Sequence, residues 1–277
     1  MKLDRLFLTP QVLPVISPVV QELLRTLGRP DALDTPTGVL AQRIACDAVI
    51  TARLLELANS AYFQLPQAVS TVSQAVQHLG FVNVRSLVIS IGLMSSFSTL
   101  EPQLTQQFWR QSLHMATAAR HWAALPAVQL DSQLAHTLAL LYPIGQLLMY
   151  QRLPADMAAL DRLAHPLTPR RVLLEQARLG FSYADVGAEL VRRWRFPPLF
   201  ARVFADHAQT PPEARLAALV RLAAWQVWFG EQPPNAADPL VNQWPADLAA
   251  EAPLLPEQCG EHFPPWTALC DVQSMLV

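Results

Sequence analysis

The chain has 277 residues, of which 52% are hydrophobic and 15% charged, and its net charge is −2. This composition excludes a disordered chain, and the length allows a large core in about two lobes. A pI near 6.4, with Lys2 as the sole lysine, leaves no clustered basic face for general nucleic-acid binding.

The N-terminal stretch MKLDRLFLTPQVLP carries Asp4 and Arg5 and is broken by prolines, so it has no unbroken apolar signal core. From there the chain reads as helix after helix. Helices are predicted at about 18–27, 36–46, 48–60, 71–79 and 83–98, forming an N-terminal lobe over residues 1–100. Four hydroxyl–proline pairs mark helix starts: Ser17-Pro18, Thr35-Pro36, Thr168-Pro169 and Thr210-Pro211. In each, a capping oxygen precedes a proline whose missing N–H costs nothing. Asp47 is expected to cap AVITARLLELA, and Ser70 to cap the helix closed by Gly80. Gly28, Gly180 and Gly230 likewise follow apolar runs as helix-ending residues do. The β-branched stretch SLVISIGLM (86–94) is expected to be a buried helix, too short to span a membrane.

A long helix at about 102–124 opens a second lobe, residues 101–230. Here Asp131 and Asp185 sit where helix-starting acids do, and Ser182 with Asp185 forms a near capping box. Residues 231–277 hold eight of the 24 prolines and are read as an extension that packs on the core or on a partner, with a short helix around 266–275. Trp244, Phe263 and Trp266 are its candidate anchors. The fold class is therefore all-α.

Candidate chemistry is sparse. His114 and His121, seven apart, share a helix face, but two histidines without a nearby acid make an incomplete metal site. Cys46 lies in an apolar pattern and is expected to be buried and inert. Cys46, Cys259 and Cys270 form no CxxC pair, which fits a reducing cytoplasm. No glycine falls in a phosphate-loop pattern, and Ser60 has no nucleophile elbow around it. Asn59, at a helix end, is expected either to bond the backbone and fix the following link or to contact a partner.

The stretch DAVITARLLELANSAYFQLPQAVSTVSQAVQHLG (47–80) resembles the HDOD domain family, bacterial signalling relatives of HD-type metal phosphohydrolases. The ANSA core, the following LG and the pattern GF-x-x-A-x-VGA-x-L-x-x-x-W-x-x-P (180–197) carry the resemblance, which covers about residues 13–208. It implies an all-α, multi-helical HD-like fold with a signalling role. In HD-type hydrolases a His, an adjacent His-Asp pair and a distal Asp hold the metal. By that resemblance His114 matches the first His, while Tyr142 and Pro143, in LLYPIGQLL, stand where the pair would be. Ala224, in LVRLAAWQV, replaces the distal Asp. Proline and alanine have no donor, and a neutral phenol is a poor ligand for a hard ion.

The resulting expectation is a non-catalytic signalling module with no cofactor, acting through an unidentified signalling protein. Its surfaces would be Asn59, Ser60, Tyr62, Trp244 and Trp266. Pro143 is expected to sit where one helix has ended and another begins. Tyr142 is expected to fill the lost site, its hydroxyl reaching a partner such as His114. Two alternatives stand. One is a nucleotide or second-messenger module using Arg85, Arg192, Arg193 or Arg195. The other is a hydrolase with a relocated site built from His114 with His121 or His136 and an acid such as Asp131 or Asp185.

Overall fold

The computed structural model describes residues 3–7, 16–25, 37–59, 65, 67–231 and 245–254; among these every regular element is helical. In chain order the helices are α1 (Leu3–Phe7), α2 (Pro18–Arg25), α3 (Thr37–Ala45), α4 (Ala48–Ala58), α5 (Val72–Leu79), α6 (Phe81–Ser95), α7 (Pro102–Ala123) and α8 (Ser132–Leu141). Then follow α9 (Ile144–Arg152), α10 (Pro154–Asp161), α11 (Pro169–Leu179), α12 (Tyr183–Arg193), α13 (Pro198–Phe204), α14 (Pro211–Glu231) and α15 (Ala246–Glu251). They fall into two compact units; one boundary lies inside α7 between Arg110 and Gln111, while α1 belongs to the second unit and residues 194–197 to the first.

The first unit holds α2 to α6, with α6 packed on α2, α4 and α5. Residues 84–93 of α6 are all buried, as expected for SLVISIGLM. The Ser90 hydroxyl donates back to the Ser86 carbonyl (2.9 Å), so this polar side chain is satisfied within its own helix. Asp47 caps α4 by accepting from the Ile50 amide at 3.1 Å. The cap of α5 is Thr71 rather than Ser70. Thr71 accepts from the Gln74 amide (3.1 Å), and the Gln74 side chain returns to the Thr71 amide in a capping box. Ser70 donates to the same Gln74 oxygen from outside the helix. Cys46 is exposed, not buried: α3 ends at Ala45, and Cys46 lies in the turn that follows.

Asn59 closes α4 and binds the link that follows. Its amide donates to the carbonyls of Leu55 and Val69 (both 2.8 Å), and its oxygen accepts from the Val69 amide at 2.7 Å. The side chain thus pairs with Val69 as a backbone unit would. Ser60, Tyr62, Trp244, Phe263, Trp266 and the predicted helix at 266–275 lie outside the described residues, as do Gly28 and Thr35-Pro36.

The second unit is built around α12, which packs on α9, α11 and α13, while α14 packs on α8, α13 and α15. Thr168 caps α11 through the Arg171 amide, and Gly180 ends that helix at φ +85°, a left-handed conformation that glycine adopts without a Cβ penalty. Asp131 caps α8 through two amides. Ser182 and Asp185 exchange bonds at the start of α12, as predicted. Gly230 does not end α14, which continues to Glu231. The short α15 lay unpredicted in the proline-rich extension; it lies on α14 with Ala249, Ala252 and Leu254 buried.

Candidate functional site

The second unit places its chemistry at the break between α8 and α9. Every residue from 134 to 149 is buried. Tyr142 closes α8, and Pro143 occupies the N-cap of α9 at φ −81° and ψ 5°. One helix has ended and the next has not begun, so the proline removes no interior hydrogen bond and no kink results. The first turn of α9 then lies against α12 at backbone contact. A Cβ on Gly145 would stand 2.0 Å from the Tyr183 carbonyl oxygen and 2.6 Å from the Gly187 nitrogen, so only glycine fits.

This approach sets Tyr142 against Tyr183. Their rings meet edge to face at 5.6 Å, and Tyr142 meets Phe204 the same way at 5.7 Å. Burial raises the Tyr142 phenol, with the Arg221 charge and the neighbouring Tyr183 side chain opposing, and burial raises Tyr183 further, so both are neutral at physiological pH. The ring neighbours of Tyr142 are thus Tyr183 and Phe204, where His114 was expected as its partner.

Tyr183 is itself held by a buried ionic network. Its amide donates to Glu175 (2.7 Å), and Glu175 accepts from Arg171 at 2.8 Å, both side chains being fully buried. Arg171 also donates to Asp161 (2.7 Å) and to the Ala164 carbonyl, and the Tyr150 hydroxyl donates to Asp161 at 2.8 Å. Burial pushes the Glu175 carboxyl up; its bonds to Arg171 and the Tyr183 amide pull against that. Such a network costs desolvation, and its members hold α11 and the start of α12 in one register.

Beside the tyrosines opens a cavity of about 380 Å³ that Tyr142, Tyr183 and Ala224 line together. Trp225 forms another part of the wall, stacked on Phe229 at 5.0 Å. The charged lining groups are Asp185, Asp206 and Arg221. Asp206 and Arg221 form an ion pair at 2.5 Å, and Asp185 is engaged through one oxygen by Ser182. Two of the four positions singled out by sequence, Tyr142 and Ala224, therefore share a cavity, and Pro143 adjoins it in the chain. His114, buried on α7, is not among the lining residues. His136 is packed with Nδ1 at 3.0 Å from the Ala116 carbonyl. Among the described residues, no three His, Cys, Asp or Glu side chains converge to hold a metal ion, so His114, His121, His136, Asp131 and Asp185 are not brought together.

None of Arg85, Arg192, Arg193 and Arg195 lines the cavity. Arg192 and Arg193 both pair with Glu189, and Arg85 lies over the Phe81 ring at 5.8 Å.

A profile of the HDOD domain matches residues 13–210. The chain belongs to the HDOD family. Within a wider set of likenesses, an HDOD domain protein of unknown function from Geobacter sulfurreducens superposes with a TM-score of 0.68. It is 18% identical, with 99% of this chain and 96% of that one covered. A provisionally named phosphohydrolase from Shewanella amazonensis SB2B gives 0.66 at 22% identity, covering 99% and 95%. A provisionally named signal transduction protein from Marinobacter aquaeolei VT8 gives 0.76 at 21% identity, covering 99% of this chain and 60% of that one. These likenesses establish the HD-like all-α fold. An uncharacterized protein of Treponema pallidum (strain Nichols) is 22% identical over 200 residues; the match takes in 72% of this chain and 38% of that relative's length.

In this HDOD protein several cavity and support residues had escaped the sequence reading: Tyr183, Asp206, Arg221, Trp225 and the Arg171–Glu175 pair. Arg221 and Trp225 were legible in principle, since they lie three before and one after Ala224 and α-helical spacing puts 221, 224 and 225 on one side of α14. Arg171 and Glu175 have the i,i+4 spacing of an ion pair, but nothing local separates a buried pair from a solvated one.

Proposed function

We propose that this HDOD protein is a non-catalytic signal-transduction module that works by binding a protein partner. One observation carries the reading. Where the HD-type resemblance calls for a metal-binding His, Tyr142 is buried edge to face with Tyr183 and Phe204, and burial keeps its phenol neutral. A neutral buried phenol, a proline and an alanine supply no ligand set for a hard divalent ion, which needs about three protein donors and an open position. The residues at this place do not fit the metal.

The test is the metal content of untagged protein purified without chelators, read by elemental mass spectrometry, with phosphodiester hydrolysis assayed on the same sample. Near-zero metal and no hydrolysis are expected. About one equivalent of iron, manganese or zinc per chain, with turnover, would overturn the reading.

A further inference from the structure

The cavity beside Tyr142 is more than the gap between packed helices. At about 380 Å³ it falls within the usual range for small-molecule sites, and its walls are largely apolar, with Tyr142, Tyr183 and Trp225 contributing aromatic surface. Its polar groups differ in what they have left to offer. The Arg221 guanidinium gives Nη1 to Asp206, while its Nε is buried without a partner. Asp185 uses Oδ2 for Ser182 and Asp206 uses Oδ1 for Arg221, so each carboxylate has a second oxygen for another donor. Gln176 adds an amide at the rim. The described lining thus offers two carboxylates and aromatic faces against a single cation, Arg221, which is paired at Nη1 with Asp206. That combination suits a positive charge on an apolar body, which carboxylates and aromatic quadrupoles both attract. It disfavours a phosphate ester, which would meet two carboxylates against one cation already paired with one of them, among the described residues.

We infer that this cavity is a binding site for a small organic cation, an ammonium or guanidinium group on an apolar stem. The inference rests on the reading above that the cavity is not a hydrolytic metal centre. The same chemistry comes from a free amine or from a lysine or arginine side chain on a partner.

The experiment titrates the full chain by calorimetry with phenethylammonium, with phenylacetate as a size-matched anion, and with acetyl-leucyl-arginyl-leucine amide. Saturable binding of at least one cationic probe, and none of the anion, is expected. Tighter binding of the amine assigns a free small molecule; tighter binding of the peptide assigns a partner side chain. Asp206→Asn should weaken the cation about tenfold and admit the anion, because it removes a carboxylate and frees Arg221. Asp206 has φ +57°, a conformation asparagine tolerates well, so this variant should fold. Ala224→Leu, which fills the cavity, should abolish binding of both. Equal binding of cation and anion by the unaltered protein, no binding of either cation, or binding unchanged in both variants would overturn the site. Metal content read on the same sample separates the two failures. Metal-free protein that binds no cation fails this inference alone, whereas metal-loaded, hydrolytic protein fails the functional reading.

Discussion

Tyr142 sits at the centre of the candidate site, where α8 ends. Its ring packs edge to face on Tyr183 and Phe204 in the wall of the cavity, and burial keeps its phenol neutral. Tyr142→Phe keeps the edge-to-face rings but removes a buried hydroxyl beside Tyr183. A loss of about 1–2 kcal/mol in unfolding free energy is expected, measured by urea denaturation. A second residue carries an acid-side signature. Glu213 on α14 accepts two bonds from Arg202 on α13 (2.6 and 3.1 Å) and one from the Gln209 amide. The Arg202 bond holds its carboxyl below the ordinary 4.5. A lowered folded-state pKa means that the stabilisation is present above about pH 4.5 and fades as pH falls through the lower value. Glu213→Gln should therefore cost about 1 kcal/mol at neutral pH, and the gap to the unaltered protein should close below pH ~4.5 in a pH series of denaturation curves.

Elements meet here at distances that decide which substitutions survive. Gly145 and Gly187 face the same crossing of α9 and α12 with opposite tolerances. At Gly145 a methyl would enter the α12 backbone, whereas at Gly187 it would stand 3.5–3.6 Å from its nearest neighbours, ordinary contact. Gly145→Ala should destabilise by about 3 kcal/mol or more, because backbone cannot move aside as a side chain can. Gly187→Ala should raise stability by up to about 1 kcal/mol, from helix propensity alone. Denaturation midpoints of the two variants test the contrast. Helix starts were the most legible part of the sequence because a cap is a local device: Asp47, Asp131, Thr168 and Ser182 each reach an amide two or three residues on. Where two hydroxyls stand side by side, as Ser70 and Thr71 do, position in the link does not tell which one caps. Counting back three from Gln74 would have found the box. Cys46 was misjudged because the apolar pattern of α3 stops one residue before it.

At the scale of the whole molecule, the all-α class and the HD-like unit were readable from periodicity and from the GF-x-x-A-x-VGA pattern. The cavity was not. Its wall draws on α11, α12, α14, α15 and the turn after α13, and no local pattern records that these side chains meet. Only the packing of α12 on its neighbours brings them together. Among the described residues no helix is long and apolar enough to cross a membrane. If the core rests on aromatic and ionic packing with no bound metal, a chelator has nothing to withdraw. The thermal midpoint with excess EDTA is then expected to match that without it, within about 1 °C; a drop of several degrees would point to a structural metal.

The side chain of Asn59 carries a further consequence, for chemical ageing. Asn59 precedes a serine, a sequence in which the next amide can attack the side-chain carbonyl and release ammonia. Here that carbonyl is held by the Val69 amide and the nitrogen by two main-chain oxygens, so the side chain cannot turn toward its attacker without breaking three bonds. Folding protects the residue that closes the link. Where the protection lapses, an aspartate would point its charge at the Leu55 and Val69 carbonyls and loosen the joint it once fixed. Peptide mapping of stored protein should find deamidation here slow in the native chain and fast after unfolding.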